Sequence, residues 1–250
     1  MADSRTKNTM RNVVAGLINQ GVSIILPFVN RTIILWTLGA EFTGLSGLFS
    51  SILSVLGIAE LGFNTAIVYS LYRPMAEHDE HKICEIVSLF RKIYRIIGTI
   101  VLILGIMIMP FLKYLIKGSY PNEINLYIIY FLYLLNSVIS YYMFAYKECL
   151  LIADQRNDLA QNVRTIINVL RYLAQFVVLL VFHNFYEYLV VAIIGTMVTN
   201  LGIQWVTLRK YPYFKQIHEK QQVPIELIKQ IKGLMTNKIC DTFRNSFDSV

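Results

Sequence analysis

Six stretches of this chain are long and apolar enough to cross a lipid bilayer, and that repetition limits the fold more than any other feature. A helix needs about 20 mostly apolar residues to span the hydrocarbon core. The stretches fall at roughly 12–38, 42–72, 93–116, 124–150, 159–182 and 189–208. In lipid every backbone N–H and C=O has to find its partner within the segment, so helices are the element these runs dictate. Hydrophobic residues make up 55% of the chain and charged residues 16%, with a mean hydropathy of +0.50, which excludes an ordinary soluble domain.

The separators LGAEF, YRPMAEHDEHK, IKGSYPNE, IADQRND and HNFYEY carry turn or charge signals, and none is long enough for a soluble domain. The opening MADSRTKNTMRN has the basic flank of a signal peptide, but the apolar run after it is too long and no small-residue cleavage site follows. It reads as a retained first helix. The fold class that follows is all-α, a polytopic membrane protein with a six-helix transmembrane lobe over residues 1–224. Residues 225–235, IELIKQIKGLM, have the period of an amphipathic helix lying on the inner membrane surface, and 236–250 read as the entry to a seventh span. A chain stopping there is expected to be the N-terminal lobe of a longer, two-lobe exporter, because transporter folds commonly repeat one bundle.

Charge fixes the expected orientation. With a cytoplasmic N-terminus, eighteen of the 23 Lys and Arg lie on the inner side and only Lys113 and Lys117 on the outer, as the positive-inside rule requires. The net charge of +7 is therefore a topology signal and gives no case for nucleic-acid binding. Cys84, Cys149 and Cys240 have no CxxC or metal-ligand spacing and read as packing residues. His78 and His81 in AEHDEHK are an incomplete ligand set on a solvated loop, and His183 and His218 stand alone.

Three charges, Arg31, Glu60 and Arg171, sit deep inside apolar stretches, where an arginine costs about 2.5–3.5 kcal/mol to insert and so faces partner helices or a wet cavity. Polar or small residues spaced three and four apart share one helix face. The first span carries such a face in Asn12, Gly16, Asn19 or Gln20, Ser23, Pro27, Asn30 and Arg31, and the second in Ser46, Ser50, Ser54, Gly57, Glu60 and Asn64. The fifth is the clearest, with Asn157, Gln161, Arg164, Asn168, Arg171 and Gln175. Gly16, Ser50, Ser54 and Gly57 read as helix-packing residues. Two arginines with interleaved amides exceed what packing requires, so the fifth-span face is expected to line an aqueous cavity. Glu60 and Arg171 each lie about 18 Å from the inner end of their spans at 1.5 Å per residue, which pairs them and leaves Arg31 for a ligand. The alternative, a protonated Glu60 hydrogen-bonded locally, stays open.

The run RTIILWTLGAEFTGLSGLFSSILSVLGIAELGFNTAIVYSLYRPMAEHD, Arg31 to Asp79, with its LGAE, GLSGLF, AELG and YSLYRP elements, resembles the first two helices of bacterial polysaccharide transporters. These are the lipid-linked oligosaccharide (O-antigen, capsule) flippases of the multidrug, oligosaccharidyl-lipid and polysaccharide exporter superfamily. The resemblance extends more weakly through the sixth span and into the amphipathic segment. It implies two six-helix lobes around a central cationic cavity in the bacterial inner membrane, and export of an undecaprenyl-pyrophosphate-linked glycan from the inner to the outer leaflet by alternating access. It also implies glycan polymerases and glycosyltransferases as partners beside membrane lipids. Only the first lobe of that pattern is present in this sequence.

The residues suit such cargo. Arginine offers a planar fork to phosphate oxygens in a low-dielectric site, making Arg31, Arg171 and Arg164 candidates for the pyrophosphate. Asn30, Asn64, Asn168 and Gln175 are candidates for sugar hydroxyls. Glu60 is a candidate coupling site for H+ or Na+, and no other cofactor is expected. The rival cargoes are lipid II or a drug. The rivals of other classes are a membrane glycan polymerase or acyltransferase, which the short outer loops disfavour, and a scaffold for glycan-assembly enzymes.

Overall fold

The computed structural model describes residues 5–57, 61–116, 120, 124–143 and 147–215. The amphipathic segment 225–235, the seventh-span entry 236–250 and Cys240 lie outside them. Among the described residues the regular structure is entirely helical. Five helical segments are long and apolar enough to cross a membrane, over 8–37, 40–57, 80–115, 157–182 and 185–210, with a shorter apolar helix at 126–142. The chain is an all-α polytopic membrane protein.

The first stretch forms one helix, α1 (Arg5–Thr37), which runs through Pro27 without interruption. Gly39, at φ +102°, turns the chain in a left-handed conformation that a side chain would resist, and α2 (Ala40–Gly57) returns. The second stretch continues in α3 (Leu61–Ala76). The helix carrying the third stretch, α4 (Glu80–Ile108), begins well before residue 93, because Asp79 accepts a hydrogen bond from the Lys82 N–H at 3.0 Å and Glu80 opposes the helix dipole. Ile83, Cys84, Ile86, Val87 and Phe90 in that added length are buried while Lys82 and Lys92 are exposed, which makes it an amphipathic extension. Pro110 tightens the end of α4 into a 3-10 turn at Met109–Phe111, followed by α5 (Leu112–Leu115).

The fourth stretch holds α6 (Leu126–Tyr142), capped by Asn125, and the short α7 (Glu148–Ala153). The fifth and sixth are α8 (Asn157–Phe182) and α9 (Phe185–Lys210), joined by two residues. His183 takes a left-handed conformation and Asn184 accepts from the Tyr186 N–H at 2.9 Å, so the chain reverses sharply and the two helices pack antiparallel. α8 lies between α1 and α9, while α6 joins α9 to α4; α2 packs on α1, α6 and α4, and α3 on α4 and α7.

The two ends are held differently. At the basic end, where α1, α4 and α8 start and α9 finishes, Asn12 of α1 donates to the Gln155 carbonyl and accepts from the Asp158 N–H at 2.9 and 2.8 Å. Arg164 of α8 binds both oxygens of Glu148 on α7, at 2.9 and 2.7 Å. Asp154 receives Lys210 and the Tyr211 hydroxyl, the latter at 2.7 Å. Burial, and then the Asp154 carboxylate, hold the Tyr211 phenol far above its ordinary pKa, so it remains a donor. At the far end the Phe42 and Phe185 rings meet edge to face at 5.1 Å, and the Tyr186 hydroxyl accepts from the Asn125 N–H at 2.8 Å. Cys84 and Cys149 are fully buried, the environment of packing residues.

Candidate functional site: a polar cleft inside the helical bundle

Asn30 and Arg31 are neighbours on α1, and a helix rotates successive residues by about 100°, so they project in different directions. Asn30 points into the bundle and is only 7% exposed. Its Nδ2 donates to the Tyr188 hydroxyl of α9 at 2.7 Å, and its Oδ1 is buried with no partner among the described residues. The Tyr188 carbonyl in turn accepts from Gln175 Nε2 of α8 at 3.3 Å, and Gln175 Oε1 is likewise buried and unpartnered. One tyrosine thus links three helices and leaves two amide oxygens unused. Arg31 is exposed beside it, with no ion-pair or hydrogen-bond partner among the described residues.

Asn30, Arg31 and Tyr188 form one wall of a cleft of about 240 Å³, with Thr43, Ser46, Gly47 and Ser50 of α2 and Tyr133 of α6 opposite. The Tyr133 hydroxyl donates to Ser46 Oγ at 2.9 Å, fixing α6 against α2. Ser50 and Tyr133 also border a second cavity of about 430 Å³, whose walls include Asn136, Ser137, Ser140 and Thr196 beside Tyr94 and Tyr141. There the Thr196 hydroxyl donates to Asn136 Oδ1 at 2.7 Å. The two cavities share Ser50 and Tyr133 and present hydroxyls and amides, with Arg31 as the formal charge on the smaller cleft. Such a lining suits a neutral, hydroxyl-rich group attached to an anion.

The remaining candidates are dispersed. Arg171 lies on the α8–α9 seam, its aliphatic stem against Gly195, where a Cβ would stand 2.6 Å from Arg171 Cγ. Its guanidinium carbon is 4.8 Å from the centre of the Tyr172 ring, and its Nε is buried without a partner among the described residues. Arg164 is engaged with Glu148 at the basic end. Asn168 is half-buried on α8 between them. Asn64 falls in α3, with its side chain outside the description, and Glu60 lies outside the described residues, as does its expected pairing with Arg171. On the α8 face, Asn157, Gln161, Arg171 and Gln175 each hold a buried polar atom with no partner among the described residues, more unmet polarity than a packed seam carries. Ser50, expected to serve packing, lines both cavities.

Tyr188 and the α6 face were not among the expected site residues. Tyr188 follows two aromatic residues in HNFYEY, which reads as a separator, although Asn184 starts the helix there. Tyr133, Asn136, Ser137 and Ser140 follow the three-and-four spacing of a helix face, and that spacing was the available signal. Among the described residues no group of three or more His, Cys, Asp or Glu is placed to hold a metal; His78 and His81 are exposed, with His81 Nδ1 3.6 Å from Glu85.

No curated protein and no solved structure matches the chain at a significant level. A family described as polysaccharide biosynthesis protein matches it over residues 9–250, nearly the whole sequence. With a hydroxyl-lined cleft in a membrane bundle and a match of that extent, the chain belongs to the polysaccharide biosynthesis protein family.

Proposed function

We propose that this protein is a transporter that moves undecaprenyl-pyrophosphate-linked oligosaccharide units from the inner to the outer leaflet of the bacterial plasma membrane, for assembly of a cell-surface polysaccharide. The observation that carries this reading is the paired polar cavities of the apolar bundle, the smaller of them bordered by Arg31, which has no partner among the described residues. A glycan headgroup has to exchange its water for hydroxyls and amides on the way across, and its pyrophosphate for a cation. Family membership supports the glycan, and the multi-pass bundle supports membrane passage.

In this reading Arg31 holds the phosphate and Asn30, with the Ser46–Ser50 edge, receives sugar hydroxyls. Arg171, Gln175, Asn168 and Asn64 are secondary contacts, and Arg164 is held by Glu148 until the basic end rearranges. The lobe alternates access against a second lobe, with the N-terminus in the cytoplasm and a proton or sodium gradient as the driving force, for which Glu60 is the coupling candidate. The protein catalyses no covalent step. Glycosyltransferases that build the unit and a polymerase that extends it are its functional partners.

The test is reconstitution of the full chain into vesicles holding a fluorescent lipid-linked oligosaccharide, with leaflet exchange read by quenching from outside. Protein-dependent exchange that Arg31→Lys retains in part and Arg31→Ala abolishes supports the proposal. Exchange equal to protein-free vesicles, or untouched by Arg31→Ala, rejects it.

A further inference from the structure

Arg31 borders a second, chemically opposite space. Beside the polar cleft, between α1 and α2, lies a groove of about 510 Å³ lined by Phe28, Leu35, Ala40 and Gly44, with Thr32 and Thr43. Both threonines donate their hydroxyls to their own helix, Thr32 to the Phe28 carbonyl at 3.1 Å and Thr43 to the Gly39 carbonyl at 3.2 Å, so the groove wall is effectively hydrocarbon. Arg31 and Thr43 line both spaces. A cation thus stands at the boundary between a hydroxyl-lined cleft and an apolar channel.

We propose that the α1–α2 face is a two-compartment site for a long-chain lipid phosphate: the phosphate pairs with Arg31, the polar substituent enters the Asn30 cleft, and the chain lies in the groove along Phe28 and Gly44. The occupant follows from charge and continuity. An anionic group on Arg31 has its polar neighbour on one side only, where the buried Asn30 Oδ1 lacks a partner among the described residues, and hydrocarbon on the other. An amphiphile joined through phosphate meets all three surfaces at once, whereas a free phosphate leaves the groove unused. The inference rests on the transport reading and adds to it the seat of the lipid chain. It also assigns Gly44 as the residue that keeps this seat open, since a Cβ there meets nothing within 4 Å. Gly47 has the same open space on the cleft side.

Binding to the purified full chain tests this with farnesyl pyrophosphate, lysophosphatidic acid and inorganic pyrophosphate as probes. Farnesyl pyrophosphate is expected to bind at least about tenfold tighter than inorganic pyrophosphate, as burial of a few methylenes requires. Gly44→Leu puts a branched side chain into the open space at Gly44 and is expected to cut farnesyl pyrophosphate affinity about tenfold, the effect of excluding roughly two methylenes, with inorganic pyrophosphate changed less than about twofold. Arg31→Gln weakens both probes. Lysophosphatidic acid following the same profile supports the site with a bilayer phospholipid as its source, and a preference for farnesyl pyrophosphate supports an isoprenoid one. Equal affinities for chained and chainless probes, or an unchanged Gly44→Leu protein, overturn the proposal. The two readings fail separately. Export that depends on Arg31 but ignores Gly44→Leu removes the groove and keeps transport. A groove that behaves as expected in a protein that moves no glycan removes transport and keeps the site.

Discussion

Replacing Tyr188 by phenylalanine removes one oxygen from the junction of α1, α8 and α9 and leaves the ring, which stacks on Phe185 at 5.5 Å, in place. The lost atom is the acceptor of the 2.7 Å bond from Asn30 Nδ2. Hydrogen bonds between membrane helices average about 0.6 kcal/mol and reach about 1.7, while a buried donor left without a partner costs about 1–3 kcal/mol. Asn30 borders the cleft, so part of that penalty is relieved when its amide turns toward it, and the expected loss is about 1–2 kcal/mol. The substitution Asn30→Leu removes the other partner. In a double-mutant cycle the pair is expected to show a coupling of about 1 kcal/mol, beyond the 0.3–0.5 kcal/mol within which independent sites add. The assay is reversible unfolding in mixed micelles, followed by the fluorescence of Trp36 and Trp205, the chain's two tryptophans. Coupling below about 0.3 kcal/mol would falsify the claim that this bond joins α1 to α9.

Three further substitutions probe the packing that positions the site. Gly195→Ala is expected to destabilise by about 1–2 kcal/mol through overpacking against the Arg171 stem, and Arg171→Ala in the same chain should recover most of it; equal costs in both backgrounds would remove the contact. Glu148→Arg with Arg164→Glu should restore much of what either change alone costs, about 0.5–1 kcal/mol for a pair that retains some exposure, and a swap no better than the single changes would show that the ion pair contributes nothing. Asn12→Ala takes from the Asp158 amide the acceptor that α1 supplies, with a cost of about 1 kcal/mol, and amide exchange at Asp158 is expected to quicken several-fold while that in the middle of α8 does not.

Helical identity was written into the chain because a bilayer leaves each apolar run a single way to satisfy its backbone. The polar face of α8 was equally legible from spacing, since α8 lies between two helices and has to turn that face inward. What each residue of the face does was not legible. Arg164 has the same spacing signal as Arg171, yet Glu148 captures it, and the location of Glu148 depends on how α7 packs beneath α8 and α9. Asn30 and Gln175 were selected separately for their amide chemistry, and they meet through Tyr188, a residue 158 positions from Asn30 in sequence. Long-range partners of this kind follow from tertiary packing and leave no local periodicity. The start of α4 was hidden for a different reason: a hydropathy run registers its apolar length, whereas its first turns are amphipathic and begin at the Asp79 cap.

The unequal fastening of the two ends gives the bundle a mechanical character. Charge-assisted bonds at Asp154 and Glu148 are short-ranged and directional, so small displacements there are costly. The aromatic contact of Phe42 with Phe185 tolerates sliding and tilting with little loss. The bundle is therefore a clothes-peg with its spring at the basic end. Its jaws are the α1–α2 turn at Gly39 and the start of α9, and the Asn30–Tyr188 bond ties them together about 10 Å from the end of α1 at 1.5 Å per residue. A force that opens these jaws therefore acts first on the single Asn30–Tyr188 bond, ahead of the charged base.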